Sequence, residues 1–170
     1  MQSQALIVAT LTEAPSAERL VELSTQADVL ELRADCVKGL DVEWLRQHFE
    51  GRLLYTLRSR DEGGHSEASG ERRHQKVTEE SQQFDLVDLE MKRDLTPGVL
   101  AAIEPARRIL SWHGPAMSLA SLQNLFDQMA SEEAKYYKIV SGADQPRQEM
   151  APLALLHSLK REDLIAFAAG

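Results

Sequence analysis

Apolar runs of about six residues recur along this chain at the spacing of a βα unit. Between them, apolar side chains fall three and four positions apart, the period of an amphipathic helix. The runs predict strands over 5–11, 29–35, 53–59, 85–91, 108–113, 136–141 and 163–169. The intervening stretches carry helix-start signals. Ser16 can cap a helix over 17–26, Asp41 one over 42–49, and Thr96 followed by Pro97 opens 97–103. Longer helices are expected over 70–83 and 118–131, and Pro152 suits the first turn of 152–159. The segment 60–71, RDEGGHSEASGE, is polar and glycine-rich and follows a strand, which marks a mobile loop positioned to cover a ligand.

Repeated β/α units without a reversal signal suggest a (β/α)8 barrel of the TIM type rather than an open doubly wound sheet. The open sheet would usually show a glycine-rich phosphate turn after its first strand, and ATLTEAPS (9–16) has none. A closed barrel needs eight strands, so the pattern reads as a barrel truncated after strand seven. No linker or repeat divides the chain, and residues 1–170 are expected to form one domain.

Five of the apolar runs also carry charge: VLELRAD (29–35), LLYTLRS (53–59), LVDLEM (86–91), RILSWH (108–113) and YYKIVS (136–141). An isolated buried charge costs several kcal/mol, so this many are tolerable only if they converge and compensate one another. The plainer reading puts each at a solvated strand end. It suits any one of them alone, and the whole set with Leu, Val and Ile at alternate positions poorly. Residues two apart in a strand share a face, so Glu31, Arg33 and Asp35 should point one way, as should Asp88 and Glu90.

Lys138, between Tyr137 and Ile139, is either an edge residue reaching water or a functional amine. A lysine buried near other cations loses its proton readily and becomes a nucleophile for carbonyl carbon. His113 precedes Gly114 and could be a satisfied core histidine. With Lys138 on the neighbouring strand, it instead fits Schiff-base chemistry with proton transfer. Glu62 or Glu90 could orient the imidazole.

Bulk properties narrow the partners. The formal net charge of −8 disfavours nucleic acid and anionic membrane surfaces. No apolar run is long enough to span a bilayer. The single cysteine, Cys36, suits a reducing cytoplasm, and no Cys/His spacing indicates a metal site, so neither metal nor cofactor is expected.

Together LELRAD (30–35), YTLRSRDEGG (55–64), FDLVDLEM (84–91), ILSWHG (109–114) and YYKIV (136–140) resemble the motifs of type I 3-dehydroquinate dehydratase, in that family's order. The resemblance implies a (β/α)8 barrel that converts 3-dehydroquinate to 3-dehydroshikimate in the shikimate pathway to aromatic amino acids. It makes Lys138 the imine-forming lysine and His113 the general base and acid, with Glu62 orienting the histidine. Glu31, Arg33 and Arg58 match substrate-binding positions, and Asp88 and Glu90 an acidic pair that supports them from behind.

The family pattern continues past strand seven with an arginine that grips the substrate carboxylate and a loop bearing a serine and a glutamine. Phe167 and Ala169 stand where the family often has methionines. The start at strand one resembles versions fused to shikimate dehydrogenase, so such a partner domain is one expectation. Uncovered edges at 5–11 and 163–169 lead to another, self-association as a homodimer. A non-catalytic binding module that keeps the pocket, or another lysine barrel such as a class I aldolase, are the alternatives. The EGG loop and SWH strand end argue against the aldolase, and retention of both Lys138 and His113 against the binding module.

Overall fold

The computed structural model describes residues 5–169; residues 1–4 and 170 of the expected domain lie outside them. The chain divides into two compact units whose boundary falls within one strand, between Asp88 and Leu89.

In the first unit, β1 (Val8–Leu11), β2 (Val29–Arg33), β3 (Arg52–Thr56) and β4 (Leu86–Glu90) lie side by side in chain order. Every pairing from β1 to β4 is parallel, and α1 (Ala17–Ser24), α2 (Val42–His48) and α3 (Gly70–Glu80) make the crossovers. The register puts Thr10, Glu31, Arg33, Thr56 and Asp88 on one face of the sheet. Leu30, Leu32, Leu53, Tyr55 and Val87 take the other face and are buried, as are Leu20, Leu45 and Val77 of the helices. One face of this sheet is therefore an apolar core, and the opposite face is polar although also largely buried.

The second unit continues from the end of β4 through α4 (Pro97–Ala102), β5 (Arg108–Gly114), α5 (Leu119–Met129), β6 (Tyr136–Gly142), α6 (Met150–Leu159) and β7 (Leu164–Ala169). β5, β6 and β7 pair in parallel, and the Met91 amide donates to the Ser111 carbonyl at 2.8 Å. Leu110, Ile139, Leu122, Met129 and Leu155 form its buried core. Buried Arg108 donates to the carbonyls of Ile103 and Glu133, satisfying acceptors that a helix end and a loop leave open.

The expected elements are present, and their ends shift for identifiable reasons. Ser16, Asp41, Thr96 and Ser118 each accept a hydrogen bond from the first turn they precede. α6 begins at Met150, which places Pro152 third in the helix, where its missing N–H costs no hydrogen bond. β1 is shorter than 5–11 and starts at Val8; just before it, the Ile7 amide donates to the Asp28 carboxylate at 2.8 Å. β2 and β3 end at Arg33 and Thr56, so Asp35 and Arg58 lie beyond the strands rather than within them.

Candidate active site

On the polar face of the first unit, neighbouring strands exchange hydrogen bonds through their side chains. Glu31 on β2 accepts from the Thr10 hydroxyl of β1 and the Thr56 hydroxyl of β3, each at 2.7 Å, one on each carboxylate oxygen. Glu31 thus spans three strands. One step further along, the Arg58 guanidinium donates to Glu62 at 3.1 Å and to Asp88 at 3.0 Å. All three side chains are at most 4% exposed. A guanidinium between two carboxylates compensates charges that would be prohibitively costly to bury singly.

Glu62 reaches this group from a single 3-10 turn, Arg60–Glu62, inside the segment expected to be a mobile loop. Part of the segment is bonded to itself as a turn. The Gly64 amide donates to Ser59 O at 2.8 Å, Ser66 N to Arg58 O at 3.0 Å, and Arg60 N to Ser66 O at 3.3 Å. Gly63 has φ +81°, in the left-handed region that favours glycine. A Cβ on Gly64 would lie 2.3 Å from the Arg58 carbonyl oxygen, so the close return of the chain onto Arg58 requires glycine there.

Arg33 turns its guanidinium onto Asp35, with Nε 2.8 Å from Oδ1 and Nη2 2.7 Å from Oδ2. Asp35 also accepts the amides of Arg58 at 3.2 Å and His65 at 3.0 Å. Burial by itself would raise the Asp35 carboxyl, but these hydrogen bonds and the Arg33 charge outweigh it and hold the pKa at about 2. The hydrogen bond to Asp35 raises Arg33 in turn, while burial pushes the neighbouring Cys36 thiol up.

In the second unit, β5 and β6 bring the candidate amine and imidazole onto one face. Lys138 pairs in register with Ser111, and His113, two residues along β5, pairs with Val140. Lys138 and His113 are therefore diagonal neighbours on adjacent strands, with Cα atoms about 8 Å apart from strand spacing and rise. Both are half-buried. Ile165 and Phe167 of β7 continue the face beside them. Glu90 is fully buried at the end of β4, with the Arg93 Nε 3.6 Å from its carboxylate. Its amide donates to Asp94 at 2.8 Å.

Apart from Glu90, the predicted site residues fall into three sets. Arg58 joins Glu62 and Asp88; Glu31 and Arg33 are each bound to residues that the sequence did not nominate; Lys138 and His113 share a face. The unnominated partners are Thr10, Thr56 and Asp35. Thr56 was detectable as the residue continuing the alternation of Leu54, and Thr10 as the same signal on β1. Nothing in the local pattern identifies Asp35 as the acceptor for a loop 30 residues away. Among the described residues, no group of three or more His, Cys, Asp or Glu could hold a metal ion. No helix there is long and apolar enough to cross a membrane.

Parallel βα units in chain order, with charged residues set among the apolar positions of the strands, define an α/β protein of the (β/α)-barrel class. Solved structures agree on that fold. The 3-dehydroquinate dehydratase of Geobacillus kaustophilus HTA426 superposes with a TM-score of 0.77 at 21% identity, covering 99% of this chain and 75% of that one. The Enterococcus faecalis 3-dehydroquinate dehydratase gives the same score and identity, with coverage of 97% and 79%. The Clostridium difficile type I enzyme, solved with covalently modified comenic acid, matches at 17% identity and a TM-score of 0.77. In sequence, the 3-dehydroquinate dehydratase of Pyrococcus abyssi (strain GE5 / Orsay) is 32% identical over 173 residues, which cover 96% of this chain and 79% of that protein. The family model for type I 3-dehydroquinase matches residues 5–170. This chain belongs to the type I 3-dehydroquinase family of hydro-lyases.

Proposed function

We propose that this chain dehydrates 3-dehydroquinate to 3-dehydroshikimate through a Schiff base on Lys138, as a step of the shikimate pathway. The observation that carries this reading is the placement of Lys138 and His113 on one face of the paired strands β5 and β6, in a chain of this family.

The chemistry follows from the two groups. The Lys138 amine adds to the substrate's C3 ketone and expels water, leaving a protonated imine. That cation withdraws electrons from C2, so His113 can remove the C2 proton and leave an enamine. The enamine expels the C1 hydroxyl, which takes the proton from the His113 imidazolium and departs as water. Hydrolysis of the imine restores the amine and releases the product ketone. Glu62 orients His113 in this reading. Glu31, Arg33 and Arg58 hold substrate hydroxyls and its negative charge, and Asp88 and Glu90 steady them. The Arg58–Glu62–Asp88 contact supports a shared role for those three, because moving one disturbs the others.

Borohydride reduction in the presence of 3-dehydroquinate tests the proposal, because it converts an imine into a stable secondary amine. Mass spectrometry should place the adduct on Lys138, and Lys138→Ala should abolish both adduct and turnover. An adduct on Lys135 or Lys160 would show that the wrong amine has been assigned. Binding of 3-dehydroquinate with neither adduct nor product would make the chain a binding module.

A further inference from the structure

We propose that Asp35 is a positioning residue that sets Arg33 and the 58–66 turn in place together. One carboxylate would then fix both the residue assigned to grip substrate and the turn that brings Glu62 to its station. The proposal rests on the Schiff-base reading for its effect on turnover, and on geometry alone for its effect on the turn.

The arrangement is symmetrical. Oδ1 accepts one guanidinium N–H, from Arg33 Nε at 2.8 Å, and one amide, from Arg58 at 3.2 Å. Oδ2 likewise accepts Arg33 Nη2 at 2.7 Å and the His65 amide at 3.0 Å. The Cys36 thiol adds a weak fifth contact at 3.6 Å to Oδ2. The Asp35 side chain is fully buried. Two of its donors belong to Arg33 at the end of β2, and two are the amides of Arg58 and His65, on either side of Glu62. The turn is bonded to itself between Ser59 and Ser66, so fixing Arg58 N and His65 N fixes its orientation as a body.

This geometry needs two oxygens. An asparagine offers one oxygen and an NH2 group, so one side of the arrangement must set donor against donor. Either the Arg58 amide or the His65 amide loses its acceptor, and Arg33 loses both the fork and the opposite charge. The effect should therefore appear twice, in substrate affinity through Arg33 and in the catalytic step through Glu62. A purely structural residue would instead reduce the amount of folded protein and leave each folded molecule normal.

Asp35→Asn is the test, with borohydride trapping used to count competent sites. The expected result is an adduct still forming on Lys138, kcat per trapped site at least tenfold lower, KM raised several-fold, and amide hydrogen exchange at Arg58 and His65 at least tenfold faster. Unchanged kcat and KM per trapped site, with unchanged protection of both amides, would overturn the proposal. If Asp35→Asn does not fold, Asp35→Glu keeps the charge but displaces both oxygens. The same per-site losses are expected there, and wild-type kinetics in that variant would also overturn it. If the wild-type chain forms no adduct, the Schiff-base reading fails by itself. Amide exchange in the variants then decides whether Asp35 positions the turn.

Discussion

The two units place charge on their sheets in different ways. In the first, polar side chains are matched with one another on β1 to β4 and just beyond them: Glu31 with two threonines, Arg58 with Glu62 and Asp88, Arg33 with Asp35. In the second, one face of β5, β6 and β7 carries an amine, an imidazole and a serine among Val140, Ile165 and Phe167. The first arrangement makes burial of charge tolerable and fixes geometry. The second holds the two groups to which the proposed reaction gives its proton transfers.

Variants can break that contrast. The largest expected effect is His113→Ala, which should lower kcat by about 10²–10⁴-fold, the usual worth of a general acid–base group. Its denaturation midpoint in urea should stay close to wild type. A large loss of stability with little loss of rate would place His113 with the compensated charges instead.

Arg58→Ala should do the reverse on stability. It removes the buried guanidinium that donates to both Glu62 and Asp88, at a cost of about 3–5 kcal/mol measured by equilibrium unfolding. A loss under about 1 kcal/mol would mean that water or another donor replaces the guanidinium.

Asp35 sharpens the comparison through pH. Its folded pKa of about 2 lies below the ordinary value of 3.8. The stability it contributes is therefore complete above about pH 4 and disappears as pH falls through about 2. That contribution is on the order of 1–2 kcal/mol after allowing for solvent screening. Unfolding curves from pH 2 to 5 should show wild type losing stability relative to Asp35→Asn across this window. Parallel curves for the two proteins would contradict the assignment.

The smallest effect is expected from the exposed pair in the second unit. Arg161 and Asp163 are 2.6 Å apart, and the hydrogen bond from Arg161 lowers the Asp163 carboxyl. Asp163→Ala should cost under about 1 kcal/mol and lose even that in molar salt. A larger cost would show that position along the chain, and not burial, sets the worth of an ion pair here.

Alternation of apolar residues, helix caps and the recurrence of βα spacing were enough to place each β-strand and α-helix of the described residues within a few positions. Those signals are local, because a strand's period and a cap's hydrogen bond are properties of adjacent residues. Lys138 and His113 could be singled out for the same reason, as polar groups where an apolar strand should have none. The partners of the charges were another matter. Arg58 was nominated to bind substrate, yet which carboxylates it meets depends on the turn that returns Glu62 to it and on the register that sets Asp88 beside Thr56. The EGG segment lies in a turn bonded to itself, and the amides on either side of it, Arg58 and His65, are accepted by Asp35, a residue of another βα unit. Hydrogen bonds between residues 23 to 32 positions apart leave no periodic trace in the sequence. The sequence by itself determined the elements and the kinds of group at their ends, while the pairing of those groups was decided by how neighbouring strands and loops come together in space.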